Sequence, residues 1–394
     1  MNSLILDTEV QLFINKHLYD DPVKLILKGS PFPEVSAQEL AEQIISKKKC
    51  KTKLPTWFVT DKIYYPNKLN IEQTSSEITA KYKADLIYGD NLLDITGGFG
   101  VDDLAFAERF SKVLHCEIDK ELSEIVAHNY KRLGVNNIKT IADNGLNYLA
   151  RSKEKFDWIY SDPSRRNKTK ERVFLLKDCL PDIPENLDLL FEHADQILIK
   201  VSPVLDISST ISELKSAYEI HVLAVNNEVK ELLFLLKKDY SGQILIKTIN
   251  IKKDTNEVFQ SIYNSSYEPT YFLPESYLYE PNPAILKAGL FNEVSNQLNI
   301  HKLHSNSHLY TSRNLTEFPG RRFRILQITP YDKKQLKRLI PSKKANITVR
   351  NFPETVAQIR KRTGFKEGGD LYLFFTTDLN NKHVVLICEK VIQK

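Results

Sequence analysis

The sequence predicts an α/β protein built on a doubly wound, mostly parallel sheet. Between Asn91 and Lys238, apolar stretches of strand length alternate with amphipathic stretches of helix length, and parallel strands require such long connections. Only the short NNEVK turn separates the last two apolar stretches, which indicates a hairpin. We therefore expect an antiparallel strand near the end of the sheet. The predicted strands are NLLDIT, KVLHCEI, NIKTIA, FDWIYS, QILIKVS, EIHVLAV and ELLFLLK.

A helical segment is predicted before the sheet, over residues 1–73. Ser36 and Glu39 form a capping box, in which each side chain satisfies a free backbone N–H group of the other residue. A second capping box, from Thr74 to Glu77, predicts the start of a helix that runs to about Leu86. Four aromatic residues of the segment either pin it to the sheet domain or stack on a target base. These residues are Trp57, Phe58, Tyr64 and Tyr65.

The pattern changes after the sheet domain, which covers residues 74–240. Residues 241–318 predict a connecting α/β region with two strands, QILIKTINI and EVFQSIY, and one helix, PAILKAGLFNEVSNQL. Residues 319–394 predict a small α/β module in the order β-α-β-α-β-β. The chain thus divides into four segments.

Composition excludes several classes of protein. With 394 residues, of which 42% are apolar and 27% charged, the chain is typical of globular proteins. No segment approaches the roughly 18 consecutive apolar residues of a membrane span, so we expect a cytoplasmic protein. The four cysteines are far apart and predict neither disulfides nor a zinc site, and Cys116 is expected to be a buried thiol. His301, His304 and His308 lack a completing ligand nearby, so no metal is expected.

Positive charge is concentrated near the carboxy terminus. The whole chain has a net charge of +5, but the segment from Gly320 to Tyr372 alone has fourteen Lys or Arg and four acids. A basic module on a mildly acidic body is typical of a protein that binds a polyanion, although solvated helix faces give the same pattern. The candidate contacts are Arg321, Arg322, Lys343, Lys344, Arg360, Lys361 and Arg362.

The stretch from Asn91 to Asp103, NLLDITGGFGVDD, predicts a ligand-binding turn after the first strand. A phosphate-binding P-loop needs a lysine after its last glycine, and none follows here. A dinucleotide turn needs a third glycine where Asp103 stands, and that acid would face the pyrophosphate. Asp94 with Gly98 and Gly100 instead suits a cationic ligand without phosphate, such as S-adenosylmethionine, because glycines let the backbone approach it.

These residues resemble motif I of the class I S-adenosylmethionine-dependent methyltransferases, which have a Rossmann-like sheet. The resemblance implies that Glu117 binds the ribose hydroxyls, that Asp143 binds the adenine amine, and that the DPSR stretch at the end of the fourth strand lies beside the methyl group. One departure is Thr96, which stands where the first glycine of the motif is usual. The implied cofactor-binding residues are Asp94, Thr96, Gly97, Gly98, Gly100, Glu117 and Asp143.

The whole chain also resembles a bacterial group of these methyltransferases that has a helical amino-terminal segment and a carboxy-terminal THUMP-like domain. The stretches KLPTWF, EQTSSE and YLYEPNPAILKAG carry this resemblance, together with the basic end module. Because THUMP domains bind tRNA, the resemblance implies an RNA partner.

The acceptor atom stays open between several alternatives. The DPSR stretch, from Asp162 to Arg165, resembles the motif of amino-group methyltransferases but lacks its aromatic residue. Methylation at carbon 5 of uracil needs a cysteine after the fifth strand, and KVSPVLD has none. The third alternative is the Lys-Asp-Lys-Glu tetrad of ribose 2′-O-methyltransferases, in which lysine stabilises the alkoxide. Its members would be Lys83, Asp162, Lys200 and Glu228.

The sequence thus predicts an S-adenosylmethionine-dependent methyltransferase that acts on tRNA or rRNA, at a base nitrogen or a ribose hydroxyl. Arg165 and Arg166 follow the acceptor motif directly and would meet a substrate phosphate, since the guanidinium fork matches phosphate geometry. Two rival hypotheses are a methyltransferase for a protein or small molecule, and a non-catalytic RNA-binding protein that retains the fold. The candidate catalytic residues are Asp162, Pro163, Ser164, Arg165 and Lys200.

Overall fold

A computed structural model describes residues 1–165 and 175–391 of the chain. The chain packs into two compact units, and each is described by itself. The first comprises Met1–Tyr218 and Leu232–Gly242, and the second comprises Glu219–Glu231 and Gln243–Lys394.

The first unit begins with helices, as predicted. They are α1 (Thr8–Lys16), α2 (Pro22–Lys28), α3 (Ala37–Lys53), α4 (Pro55–Val59), α5 (Lys68–Gln73) and α6 (Glu77–Ala84), with a 3₁₀ turn at Ser3–Leu6. The capping box of Ser36 and Glu39 is confirmed at the start of α3. The second predicted box is wrong, because the Ser76 hydroxyl rather than Thr74 caps α6 by accepting from the backbone N–H of Thr79.

Strands with intervening helices follow. They are β1 (Gly89–Asp94), α7 (Val101–Phe106), β2 (Phe110–Cys116), α8 (Lys120–Arg132), β3 (Ile138–Ile141), α9 (Gly145–Arg151), β4 (Phe156–Ser161), β5 (Ser164–Arg165), β6 (Cys179–Leu180), α10 (Leu187–His193), β7 (Ala194–Val201) and α11 (Ile207–Leu214). Short 3₁₀ turns span Leu176–Asp178 and Pro184–Asn186.

The strand order confirms the doubly wound sheet. Strand β1 lies between β2 and β4, β3 lies beside β2, and β7 lies beside β4, all in parallel. The next strands are β8 (Ala217–Val225) and β9 (Glu228–Lys237), and β9 runs antiparallel to β7. The reversal of order at β1 places the carboxy-terminal ends of β1 and β4 at a switch point, where ligands bind in such sheets.

The second unit contains two further strands that pair near β8. These are β10 (Leu245–Ile251), which is parallel to β8, and β11 (Asn256–Ile262), which is antiparallel to β10. Asn226 and Asn227, just after β8, have positive φ angles of 50° and 64°, as in a two-residue hairpin turn.

A seven-stranded sheet forms the rest of the second unit, in the order β13-β14-β12-β15-β18-β17-β16. Its elements are β12 (Tyr277–Pro281), α12 (Pro283–Ala288), α13 (Phe291–Gln297), β13 (His301–Lys302), β14 (Tyr310–Ser312), β15 (Gly320–Pro330), α14 (Lys333–Leu339), β16 (Asn346–Arg350), α15 (Val356–Thr363), β17 (Leu371–Thr377) and β18 (His383–Lys390). The β-α-β-α-β-β order of the end module is confirmed. The single helix predicted over PAILKAGLFNEVSNQL is wrong, because Gly289 adopts a left-handed φ of 71° and ends α12.

Apolar cores hold these elements together. Leu336, Ile359 and Phe375 lie in a core formed by α14, α15 and one face of the sheet, and Phe323 and Phe374 lie in a second core. All four cysteines are buried, including Cys116 as predicted. Within the described part of the chain, no helix is long and apolar enough to cross a membrane.

Candidate active site

The glycine turn after β1 is shaped by close packing beneath it. Gly98 and Gly100 have positive φ angles of 55° and 74°, which favour glycine. A Cβ atom at Gly97 would overlap the imidazole of His115, and one at Gly100 would overlap the hydroxyl of Tyr130. A Cβ at Gly98 would meet only the carbonyl oxygen of Thr96, 3.7 Å away. The turn therefore needs glycine for two reasons, packing below and backbone conformation.

Thr96 connects the ends of β1 and β4. Its backbone N–H and its hydroxyl donate to Oδ1 of Asp94, at 2.7 and 3.0 Å. The same hydroxyl accepts from the backbone N–H of Asp162 at 2.7 Å, which glycine at this position could not do. Burial, followed by the nearby Asp103 carboxylate, raises the pKa of Asp94 well above its usual value. The departure from the usual motif thus ties the glycine turn to the acceptor motif.

A cavity of about 640 Å³ opens at this edge of the sheet. Of the predicted residues, Asp94, Thr96, Gly97, Gly98, Glu117, Asp162 and Ser164 line it. Six acids line the cavity in all, and no Lys, Arg or His is among its described lining residues. The acids are Asp94, Asp102, Glu117, Asp119, Asp162 and Asp182. Its charge therefore suits a cationic ligand.

Glu117 is held in place at the end of β2. Its carboxylate accepts from the backbone N–H of Gly98 at 2.9 Å and from that of Asp119 at 2.8 Å. The next residue, Ile118, is exposed and lines the cavity, so it presents an apolar surface beside the carboxylate. Two backbone N–H groups therefore fix the Glu117 carboxylate, and the apolar side chain of Ile118 is next to it.

Asp143 does not line the cavity. Its carboxylate accepts from the backbone N–H of Asn144 at 2.8 Å and pairs with the guanidinium of Arg151. The next two residues, Asn144 and Gly145, line the cavity instead. The stretch predicted to bind adenine therefore reaches the cavity, but Asn144 and Gly145 line it in place of Asp143.

Two lysines lie behind the cavity and pair with its carboxylates. The ammonium of Lys200, near the end of β7, pairs with Oδ2 of Asp162. Lys83 on α6 is 0% exposed, and its ammonium lies 3.1 Å from Oδ1 of Asp102 and 2.9 Å from the Ser75 hydroxyl. Neither lysine lines the cavity. Burial raises the pKa of Asp162, and the Lys200 ammonium opposes this effect.

Asp102 is a cavity residue that the sequence analysis did not identify. Its Oδ2 accepts from the hydroxyls of Ser75 and Tyr160, both at 2.8 Å. Burial alone would raise the pKa of this carboxyl, but the ammonium groups of Lys83 and Lys200, together with the two hydroxyl hydrogen bonds, outweigh burial, so the pKa lies below its usual value. The sequence feature that could have identified Asp102 was its position, two residues after Gly100, the last glycine of the turn.

A buried cluster of His115, Asp103 and Tyr130, which the sequence did not predict, lies beneath the glycine turn. Nδ1 of His115 is 2.5 Å from Oδ2 of Asp103, and both side chains are fully buried. The Tyr130 hydroxyl donates to the Gly100 carbonyl at 3.1 Å. Burial lowers the pKa of His115, and burial with the Asp102 charge raises that of Asp103. The cluster supports the turn from below.

Four further candidates for the acceptor site remain, namely Pro163, Arg165, Arg166 and Glu228. Pro163 is buried and does not line the cavity. Arg165 ends the short strand β5, which pairs with β6, and its side chain lies outside the described part of the structure. Arg166 also lies outside the described residues. Glu228 has a side chain that is 72% exposed and pairs with Lys230.

The aromatic residues of the amino-terminal segment lie in the core of the first unit. Trp57 and Tyr65 are buried, and the Tyr65 hydroxyl donates to the Trp57 carbonyl at 2.8 Å. The backbone N–H of Tyr64 donates to Asn129 of α8 at 2.9 Å. These contacts support the interpretation that the aromatic residues pin the segment to the sheet domain.

The predicted RNA contacts differ in exposure. Arg322 is only 6% exposed and pairs with Glu317, and Arg321 pairs with the buried Glu280. Arg360 pairs with Glu367 and Arg362 with Glu354. Lys343, Lys344 and Lys361 are exposed. The side chains open to a partner are therefore mainly lysines.

Two family models match the carboxy-terminal part of the chain. Residues 320–390 match a family model described as "THUMP domain-like", and residues 277–319 match one described as "ferredoxin-like domain". Among curated proteins, none matches the chain.

Solved structures give a match over the full length. A structure from Porphyromonas gingivalis W83 is 32% identical over 99% of both chains, with a TM-score of 0.89. An rRNA methylase from Streptococcus thermophilus is 16% identical over 42% of this chain and 98% of its own, with a TM-score of 0.31. A Streptococcus mutans structure in complex with SAH is 11% identical over 41% of this chain and 96% of its own, with a TM-score of 0.30. The first and third carry the description "putative methyltransferase".

The full-length match and the THUMP-like match agree with the glycine turn, the strand order and the acidic cavity described above. The chain belongs to the class I S-adenosylmethionine-dependent methyltransferases, in the bacterial group that has a carboxy-terminal THUMP-like domain.

Proposed function

We propose that this protein transfers a methyl group from S-adenosylmethionine to RNA. The charge of the cavity is the main support for the donor. S-adenosylmethionine carries a sulfonium and an ammonium group, and the described lining of the cavity contains six acids and no cation. Gly98 leaves space at the cavity wall where a side chain would otherwise stand. The residues present therefore fit this donor.

Each cofactor residue has a role in this proposal. The turn from Asp94 to Gly100 lies along the methionine part of the donor, and the Glu117 carboxylate accepts from the ribose hydroxyls. Because Asp143 is engaged by Arg151, we assign the adenine end to the stretch from Asp143 to Gly145, with Asn144 at the cavity wall. Bound S-adenosylmethionine supplies an electrophilic methyl group on a positively charged sulfur.

The acceptor side of the cavity is assigned to the DPSR stretch. Asp162 and Ser164 line the cavity, and Lys200 holds the Asp162 carboxylate from behind. Pro163 lies in the turn between β4 and β5, and Arg165 ends β5. Asp162 would orient the acceptor atom toward the methyl group, and orientation alone lowers the barrier of a displacement reaction substantially.

The basic end module is proposed to hold the RNA backbone. Lys343, Lys344 and Lys366 form what we call the basic cluster: the backbone N–H of Lys366 donates to the Lys343 carbonyl at 2.9 Å, and that of Ala345 donates to the Lys366 carbonyl at 3.0 Å. All three lysines are exposed, and no ion pair links them to an acid in the described part of the chain. Exposed lysines without acidic partners are suited to phosphates.

The four predicted segments carry separate tasks in this proposal. Residues 1–73 brace the catalytic domain, residues 74–240 bind donor and acceptor, residues 241–318 connect, and residues 319–394 bind RNA. A cytoplasmic location would suit such a substrate.

Charge reversal of the basic cluster tests the RNA proposal. We expect the triple Lys-to-Glu variant to bind bulk tRNA on the order of tenfold or more weakly at low salt, and with a flatter dependence of affinity on salt, because each lost phosphate contact lowers the slope by about one. Its affinity for S-adenosylmethionine should stay unchanged. Filter binding over a salt series and calorimetry measure the two quantities.

A matched control separates this effect from net charge. Lys24, Lys131 and Lys153 are exposed lysines of the first unit, and their reversal changes the net charge equally. The control variant should bind tRNA almost as the wild type does. Equal loss in both variants would show a general charge effect and would remove the assignment of the module.

A further inference from the structure

We propose that the acceptor atom is a nitrogen that carries hydrogen, such as the amino group of a nucleobase, and not a ribose hydroxyl or a ring carbon. The inference rests on the proposed methyl transfer at Asp162 and concerns only the identity of the acceptor atom. It follows from which side chains face the cavity and which lie behind it.

Methylation of a hydroxyl needs a base or a cation near the oxygen, because an alcohol is a poor nucleophile until its proton is removed. The tetrad of ribose methyltransferases uses lysine for this purpose. Here Lys83 is 0% exposed and committed to Asp102 and Ser75, and Lys200 pairs with Asp162. Neither lysine is among the described residues that line the cavity, whereas the two acids they pair with, Asp102 and Asp162, both line it.

The fourth member of the tetrad is also engaged elsewhere. The side chain of Glu228 is 72% exposed and lies 2.6 Å from the ammonium of Lys230. Among the described residues, Lys83 pairs with the carboxylate of Asp102. The lysines therefore act as positioning residues that hold two carboxylates at the cavity wall.

Methylation at carbon needs a thiolate that attacks the ring first. Cys116 lines the cavity, and the other three cysteines do not. Burial raises the pKa of Cys116 to about 12, so its sulfur stays a thiol at neutral pH. The thiol also lies at the end of β2, beside the residues assigned to the donor. A covalent carbon pathway therefore has no nucleophile in the cavity.

The lining of the cavity suits an amino group as the methyl acceptor. An amino group donates hydrogen bonds, and the carboxylate of Asp162, whose side chain is 32% exposed, can only accept them when ionised. Asn70, Gln73 and Asn186 are also among the lining residues, and a side-chain amide can both donate and accept, as the edge of an uncharged heterocycle requires.

The transfer step balances without another reactant. The nitrogen lone pair forms the new N–C bond while the C–S bond breaks, and the electron pair of that bond stays on sulfur. The nitrogen then carries an extra proton, which passes to the Asp162 carboxylate and on to solvent. Because burial raises the pKa of Asp162, its carboxylate accepts a proton more readily than an exposed one.

The test identifies the methylated atom independently of the methylated molecule. The full chain is incubated with methyl-labelled S-adenosylmethionine and with total RNA, DNA and protein from cells that lack its gene, and the labelled products are digested and identified. We expect label on nitrogen. Label on a 2′-oxygen or on carbon would overturn the inference even if RNA is the substrate. Label on a nitrogen of DNA or protein would support it while overturning the RNA proposal.

Glu228→Gln is the discriminating variant, because an exposed surface change leaves the fold intact. We expect its transfer rate to stay within about twofold of the wild type, since exposed substitutions away from the site have small effects. A loss of a hundredfold or more would place Glu228 in a working tetrad and would overturn the inference. Circular dichroism checks that both proteins are equally folded.

Discussion

Lysines beside the catalytic cavity and lysines of the THUMP-like module carry the same charge but differ in burial and in the groups they contact. Lys83 is fully buried, and its ammonium is 3.1 Å from a carboxylate oxygen of Asp102. Lys344 is exposed, and it has no acidic partner in the described part of the chain. Beside the cavity the lysines pair with two of its six lining acids, Asp102 and Asp162, and do not line it themselves. On the module the lysines themselves face outward.

The comparison shows that burial, and not residue type, decides what a charge does. A buried ammonium must be paired, since an unpaired buried charge costs several kcal/mol. An exposed ammonium keeps its water and is available to a polyanion. One chain thereby offers an acid-lined cavity for a cationic donor and a basic surface for a polyanionic acceptor.

The largest expected effect is a loss in the rate of methyl transfer when Asp162 is replaced. Asp162→Asn should lower the rate of methyl transfer by about 10²- to 10⁴-fold, because the amide cannot take up the proton and loses the ion pair with the Lys200 ammonium. S-adenosylmethionine affinity should change little. Single-turnover transfer and calorimetry measure the two, with exposed Asp195→Asn as the control. Equal losses of rate and donor affinity would assign Asp162 to donor binding instead.

The next effect compares the two kinds of lysine directly. Lys83→Met should lower the free energy of unfolding by about 3–5 kcal/mol, because it leaves Asp102 buried without its cation. Lys344→Met removes the same charge from an exposed site and should cost less than about 0.5 kcal/mol. Denaturant unfolding gives both values.

The double variant Lys83→Met with Asp102→Asn sharpens the comparison. It removes both charges of the pair and should recover part of the lost stability, since the uncompensated carboxylate is gone. If Lys83→Met costs no more than Lys344→Met, the buried pair does not contribute as described.

The sequence predicted the fold because each strand and helix of the sheet domain carries its own local pattern. The glycine turn was equally visible, because a Cβ atom at Gly97 or Gly100 would overlap a buried side chain. Helix boundaries were less accurate. Thr74 and Ser76 both suit a cap, and only the path of the chain selects Ser76. Gly289 ends a helix only because its backbone turns left-handed there.

Parts of the site could not be predicted because they depend on tertiary contacts. The pair of Lys83 and Asp102 joins residues on α6 and α7 that no local pattern connects. The exposure of Arg322 is decided by the strands around it, and a run of basic letters does not show which of its members is buried. Near Asp143, the cavity is lined by the next residue, a difference that only the turn geometry reveals.

The most direct test measures both ligands on two variants. Glu117→Ala removes the carboxylate assigned to the ribose and should weaken S-adenosylmethionine binding by about tenfold or more, because hydrogen bonds to charged groups are strong. Its tRNA affinity should stay within about twofold. The triple reversal of the basic cluster should give the opposite result, with weaker tRNA binding and unchanged donor binding. If either variant weakens both ligands equally, or the wild type does not bind S-adenosylmethionine, the division between an acidic donor cavity and a basic RNA surface is wrong.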